Sequence, residues 1–114
     1  MKVAVIGSRS LFVRDLSKYL PEGTTELVSG GARGVDTSAR EYARANGLPI
    51  KEFLPDYATL GKGAPLQRNL LIIEYADVVL AFWDGKSRGT KFVIDNCKKM
   101  GKPVKVFLPT ENKG

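Results

Sequence analysis

Four short stretches of this 114-residue chain combine glycine, hydroxyl and guanidinium groups, the residue types that cradle phosphate. They are Gly7-Ser8-Arg9-Ser10, Ser29-Gly30-Gly31-Ala32-Arg33-Gly34-Val35-Asp36, the pair Arg68-Asn69, and Asp84-Gly85-Lys86-Ser87-Arg88-Gly89-Thr90. Glycines admit positive φ and carry no Cβ, so successive N–H groups can turn inward around an anion. A helix that begins at such a loop adds unpaired amides and partial positive charge. The spacing is neither GxGxxG nor GxxxxGK[ST], which sets aside the standard dinucleotide fingerprint and the Walker loop. Each stretch also has a plainer reading. Ser8 or Ser10 would serve as a helix cap, Arg68 as a solvated helix charge, and Asp36 as a complement to the helix dipole or a brace for its loop. Placement favours a shared anion site: four of the seven arginines, Arg9, Arg33, Arg68 and Arg88, fall at or near predicted strand-to-helix junctions.

Catalytic groups are harder to find. The chain has no histidine, so the usual neutral-pH acid/base residue is missing. Asp36, Asp84 and Asp95 are the carboxylates near these loops, and Asp36 and Asp95 are the candidates for a catalytic role. Cys97 is the only cysteine, which rules out an intrachain disulfide, a thiolate metal cluster or a CxxC pair and reads as a small buried helix residue. No metal site is expected.

The elements that must carry these loops alternate along the chain. Apolar, β-rich runs at Lys2–Ile6, Glu26–Ser29, Ile50–Leu54, Asp77–Phe82 and Pro103–Leu108 read as strands. Val3-Ala4-Val5-Ile6 and Val78-Val79-Leu80-Ala81-Phe82 are continuous rather than alternating, as parallel strands covered on both faces require. Between them, Arg9–Leu20, Val35–Asn46, Pro65–Tyr75 and Arg88–Met100 show apolar residues at helical intervals, with Leu11, Leu16, Tyr19 and Leu20 forming one stripe. Pro21, Gly47 and Gly101 mark helix ends. The expected fold is a Rossmann-like three-layer α/β/α domain with a five-stranded parallel sheet over residues 1–108, followed by a frayed tail at 109–114. In such sheets ligands bind outside the carboxyl ends of the strands, where all four stretches are predicted to lie. The longest connection, Pro55–Ala64, is of the kind that covers a ligand.

Composition agrees with a folded domain: 43% hydrophobic and 26% charged residues. No apolar run approaches the length of a membrane span, and the N-terminal residues read as a first strand rather than a signal peptide, so the cytoplasm is the default compartment. A net charge of +6 favours anionic partners. Much of the excess lies in Lys86, Arg88, Lys91, Lys98, Lys99, Lys102 and Lys105, either a solubilising surface or a face for nucleic-acid phosphates.

The order Val5-Ile6-Gly7-Ser8-Arg9, Val28-Ser29-Gly30-Gly31-Ala32-Arg33-Gly34-Val35-Asp36, Gln67-Arg68-Asn69, Ala76-Asp77 and Ser87-Arg88-Gly89-Thr90 resembles the SLOG superfamily, and more narrowly its YspA-like (DUF2493) branch. Relatives of that superfamily include the DNA-processing protein DprA and the LOG phosphoribohydrolases. The resemblance implies a nucleotide or nucleotide-derived phosphorylated ligand and no required cofactor. It carries over Gly7, Ser8, Arg9, Ser29, Gly30, Gly31, Arg33, Gly34, Arg68, Asn69, Ser87, Gly89 and Thr90 as binding residues, and Arg88 joins them as a candidate from its place in the fourth stretch. LOG enzymes carry an acidic residue soon after their Gly-Thr pair, whereas Gly89-Thr90 is followed here by Lys91, Phe92 and Val93, with Asp95 the first acid. Binding or sensing of a nucleotide is therefore the first expectation. A LOG-like N-glycosidic phosphoribohydrolase and a DprA-like single-stranded DNA module are the alternatives, and pairing into a homodimer stays open. Trp83 either lines a base pocket or packs into the core.

Overall fold

The computed structural model describes residues 1–108; the expected frayed tail at 109–114 lies outside the described residues. Five parallel strands, β1 (Lys2–Gly7), β2 (Glu26–Ser29), β3 (Ile50–Glu52), β4 (Val78–Phe82) and β5 (Val104–Phe107), form one sheet in the order β3-β2-β1-β4-β5. Four helices join them: α1 (Val35–Asn46), the short α2 (Tyr57–Leu60), α3 (Ala64–Tyr75) and α4 (Arg88–Met100). The fold is thus Rossmann-like α/β.

The continuous apolar strands bury both faces, and the two-residue period sorts their side chains between two cores. Val3 and Val5 of β1, Leu27 of β2, and Leu80 and Phe82 of β4 pack with Val35, Ala39 and Ala43 of α1. Their neighbours Ala4, Ile6, Val28, Val79 and Ala81 pack with Ile72 and Ile73 of α3 and Val93, Ile94 and Cys97 of α4. One face is therefore covered by α1 and the opposite face by α3 and α4. Chain order runs outward from β1 to β3 and then returns to β4 on the other side of β1. The strand order reverses between β1 and β4, and the loops that leave those two strands diverge there.

Two helices and their stops match the sequence reading, since α1 ends at Gly47 and α4 at Gly101. The predicted helix Arg9–Leu20 does not form. In its place the chain runs irregularly to a single 3-10 turn at Leu16–Lys18. Two hydrogen bonds explain the difference. The Val13 amide donates to Ser38 Oγ on α1 at 2.9 Å, and the Asp15 carboxylate accepts from the Ser17 amide at 3.2 Å. Both satisfy backbone groups outside a helical ladder. The apolar residues of the expected stripe are still used, because Leu16 is buried and Leu11, Tyr19 and Leu20 pack around it on the α1 face.

Smaller corrections fall at element ends. The third strand stops at Glu52 and leaves Leu54 exposed, the Pro55–Ala64 connection contains α2 and a further 3-10 turn at Gly61–Gly63, and α3 starts at Ala64 with Pro65 in its first turn. None of the described helices is long and apolar enough to cross a membrane.

Leu16 is the sole fully buried apolar side chain in the segment between β1 and β2. Leu16→Ala is expected to cost about 2–4 kcal/mol in urea-induced unfolding; a loss below about 1 kcal/mol would show that the segment is not anchored through this side chain.

Candidate functional site

The site is built where β1 and β4 lie side by side. Their register pairs Gly7 with Phe82, so the two chains leave the sheet together. Ser8 ties them beyond its edge: its amide donates to the Phe82 carbonyl at 3.0 Å, and its buried Oγ accepts from the Asp84 amide at 3.1 Å. Asp84 organises the second loop. One carboxylate oxygen accepts from the amides of Lys86 and Ser87, both at 2.8 Å, and the other from Ser10 Oγ at 3.3 Å. These amides, with the serine hydroxyls, hold the Asp84 carboxyl below its ordinary pKa, so it stays ionised. Ser87 then caps α4, accepting from the Thr90 amide at 3.3 Å. The amides of the first turn of α4 that precede Thr90 have no intrahelical acceptor, as at any helix start.

A cleft of about 440 Å³ opens between these loops, within the roughly 300–1,000 Å³ typical of small-ligand sites. Gly7, Ser8, Arg9 and Ser10 line it from β1, Ser87, Gly89 and Thr90 from α4, Gly30, Ala32 and Asp36 from the β2–α1 segment, and Pro65, Leu66, Arg68 and Asn69 from α3. Four segments far apart in sequence thus share one hollow. Of the expected binding residues, Ser29, Gly31, Arg33, Gly34 and Arg88 do not line it. Arg33 and Arg88 are exposed, and Gly34 is buried under the first loop. There Gly34 begins α1 at φ 72°, and a Cβ would collide with the Arg9 carbonyl. Its role is close approach between loops.

The glycine-rich loop departs from the expected inward-turned amides. The Gly31 amide donates to Ser29 Oγ at 3.1 Å and the Ala32 amide to Asp36 Oδ2 at 3.0 Å. Arg68 Nη1 donates to the Gly30 carbonyl at 2.6 Å and to Phe53 at 3.3 Å, while its Nε donates to Asn69 Oδ1 at 2.8 Å. Arg40 Nη2 reaches the Gly31 carbonyl at 3.5 Å, with its Nε paired to Glu52 at 2.9 Å. Two arginines therefore hold the loop from outside, and two of its amides are consumed within it. Arg68 is first of all a staple between α3 and the loop, although it also lines the cleft.

Charges around the hollow are mixed. Asp36 is buried, and its Oδ1 has no hydrogen-bond partner among the described residues. Burial raises its pKa above the ordinary 3.8, opposed by the Ala32 amide and by Arg68. Burial likewise lowers the pKa of Arg68, and Asp36 opposes that shift. Arg9 is exposed and makes no hydrogen bond or ion pair with the described residues; the like charge of Arg9 acts on Arg68 and further disfavours the Arg68 cation. Asp95 lies outside the cleft, held by Lys91 at 2.8 Å, a surface ion pair one turn apart on α4. Trp83 turns to the core beside α3 and α4 and donates its indole N–H to the Ser87 carbonyl at 3.0 Å, so it is not part of the cleft wall. The sequence reading did not select Ser10, Ala32, Pro65, Leu66 or Asp84 as site residues. Ser10 and Asp84 stood in stretches already singled out, whereas Pro65 and Leu66 carry no local signal and reach the site only because α3 starts there.

The chain is similar to the Gene 61 protein of Mycobacterium phage D29, with 38% identity over 84 residues covering 68% of this chain and 67% of that protein. No family model and no solved structure matches it.

The Asp36 carboxyl supplies a test of the loop's electrostatics. A folded-state pKa raised above the unfolded value means that the folded chain loses stability as pH rises from 3.8 through the raised value. Asp36→Asn keeps an acceptor for the Ala32 amide without the buried charge. Its thermal midpoint is expected to match the parent in acid and to exceed it at neutral pH, by about 1 kcal/mol of stability. A parent that is the more stable at neutral pH would show that pairing with Arg68 outweighs burial. Arg68→Ala, by contrast, is expected to destabilise the fold by about 1–3 kcal/mol, because it strands the Gly30 and Phe53 carbonyls. Unchanged stability in denaturant titration would remove the staple.

Proposed function

The chain belongs to the same family as the phage Gene 61 protein, and we propose that it binds a nucleotide or a nucleotide-derived phosphorylated ligand in the cleft between β1 and β4. One observation carries this reading. Arg9 lines the cleft, exposed, and no anion among the described residues pairs with it. The Arg9 guanidinium is thus left at the cleft without a counter-ion, and a phosphate accepts the fork of N–H donors that guanidinium presents.

The first turn of α4 points the same way. Gly89 and Thr90 line the cleft at a helix start, where the amides and the helix dipole favour negative charge. Asp84, ionised at the same edge, opposes that preference, although its oxygens are turned to the Lys86 and Ser87 amides and to the Ser10 hydroxyl. The position of the cleft, outside the strand ends where the order reverses, is the general ligand position of open parallel sheets. Resemblance of the four loops to the SLOG superfamily supports a nucleotide-derived ligand over a simple anion. In this reading the phosphate lies against α4 and Arg9 rather than inside the glycine-rich loop. That loop, fixed by Arg68 and Arg40, forms the opposite wall.

Binding rather than glycosidic cleavage is the reading favoured. Hydrolysis through an oxocarbenium-like state asks for a carboxylate at the anomeric centre. Asp95 is paired with Lys91 outside the cleft, and Asp36, although it lines the cleft, is buried with one carboxylate oxygen engaged by the Ala32 amide of its own loop.

A thermal-shift titration with nucleoside monophosphates tests the proposal. Stabilisation that grows with ligand concentration is expected, reaching about 2.7 kcal/mol at a hundredfold excess over Kd. Arg9→Ala should weaken binding about tenfold, as loss of a charge-assisted contact does, without altering the ligand-free midpoint. No stabilisation by any nucleoside monophosphate would overturn the reading. Release of free base on incubation would instead assign a hydrolase, and binding confined to single-stranded DNA with steep salt dependence would assign a nucleic-acid module.

A further inference from the structure

Residues 85–108 hold seven lysines and arginines and one acid, whereas the rest of the chain holds eleven of each sign, so this stretch accounts for the whole formal charge of +6. None of the seven lines the cleft. A surface charged only for solubility intersperses the two signs, as the rest of the chain does. On α4 the spacing gathers the charge further. Arg88, Lys91, Asp95, Lys98 and Lys99 follow one another at three, four, three and one residues, which sets them on one side of the helix. Val93, Ile94 and Cys97 are buried against the sheet, and the four cations are exposed. We propose that this stripe binds the phosphate backbone of a nucleic-acid duplex, on a surface separate from the cleft and independent of the nucleotide reading.

The protein neutralises little of the stripe. Asp95 pairs with Lys91 at 2.8 Å, while Arg88, Lys98 and Lys99 make no hydrogen bond or ion pair with the described residues. Glu74 is the single acid of α3, the neighbouring helix, and it makes no ion pair with the stripe. Lys102 is committed elsewhere, since its ammonium donates to the Ala76 carbonyl. Helix stability accounts for part of the pattern, because Lys98 and Lys99 complement the dipole in the last turn. It does not account for Arg88, a cation in the first turn, where the dipole disfavours one. From Arg88 to Lys99 the helix rises about 16 Å, over which one strand of a duplex presents about five phosphates. The stripe has no exposed ring, Phe92 being half-buried, so it offers phosphate contacts without the stacking platform that single strands use. The apolar face of α4 is packed in the core, which leaves none to enter a bilayer.

Fluorescence anisotropy of the full chain with labelled DNA and RNA duplexes of one sequence tests the stripe, and the tighter of the two names the source of the backbone. Affinity is expected to fall with salt at a log–log slope of about −3 to −4, one unit for each neutralised phosphate. Lys98→Glu and Lys99→Glu together should weaken binding at least about tenfold and reduce the slope by about two, with the thermal midpoint little changed. Lys18→Glu and Arg44→Glu, exposed on the opposite face of the sheet, make the same change in net charge and should leave affinity within about twofold. Equal losses in the two double variants would mean that net charge alone attracts the duplex, and the stripe would fall. Tighter binding to single strands or to vesicles of anionic phospholipid would also overturn it, as would a parent chain that binds no duplex at low salt.

Discussion

The pairing of β1 with β4 is the constraint on which the site depends. Neither strand is a sequence neighbour of the other, yet five consecutive residues of β1 are in register with β4, ending with Gly7 opposite Phe82. A side chain at Gly7 would press on the Phe82 carbonyl and on Val35, so the close approach of strand, strand and helix is available only to glycine. Ser8, itself buried, then extends the pairing by two hydrogen bonds, one to each side of the β4 exit. With the two exits clamped, the loop ending at Ser10 and the loop starting at Asp84 have little freedom, and the start of α4 is aimed over the gap.

The other wall is held by different means. Its glycine-rich loop has few side chains of its own to pack, and glycine carries the largest conformational entropy to be lost on ordering. Order is supplied from neighbouring elements. Arg68 reaches across from α3, Arg40 from α1, and Asp36 folds back onto the Ala32 amide. This division of labour accounts for an otherwise odd feature, a buried carboxyl with one oxygen unpartnered. Asp36 sits where the loop needs an acceptor, and Arg68 partly offsets its burial. Arg9 has no comparable duty. Among the arginines of the cleft it is the one whose charge the described residues leave uncommitted.

Irregular structure between β1 and β2 fits the same logic. A helix from Arg9 would have drawn the Ser8 and Arg9 backbone into its first turn, whereas these groups lie against Gly34 and the Leu11 amide donates to the Ser8 carbonyl at 3.2 Å. The segment keeps its core contribution through Leu16 and its neighbours and leaves the loop at the cleft short and braced.

The sequence by itself determined the α/β class, the five strands and the long helices, because continuous apolar runs, helical spacing and stops at Gly47 and Gly101 are local signals of local geometry. It also marked most of the cleft, because glycine, hydroxyl and guanidinium groups stand out at strand ends. Tertiary structure decided what each of those groups does. Arg9, Arg33, Arg68 and Arg88 look alike in sequence, yet one is a staple, one lines the cleft unpaired, and two lie outside its wall. Whether residues 9–20 would be helical was decided by Ser38, a residue on a different element that takes the Val13 amide. Hydrogen bonds between segments 25 to 76 residues apart settle these assignments. Such bonds leave no periodicity to read, because their partners are adjacent only after the sheet has brought them together.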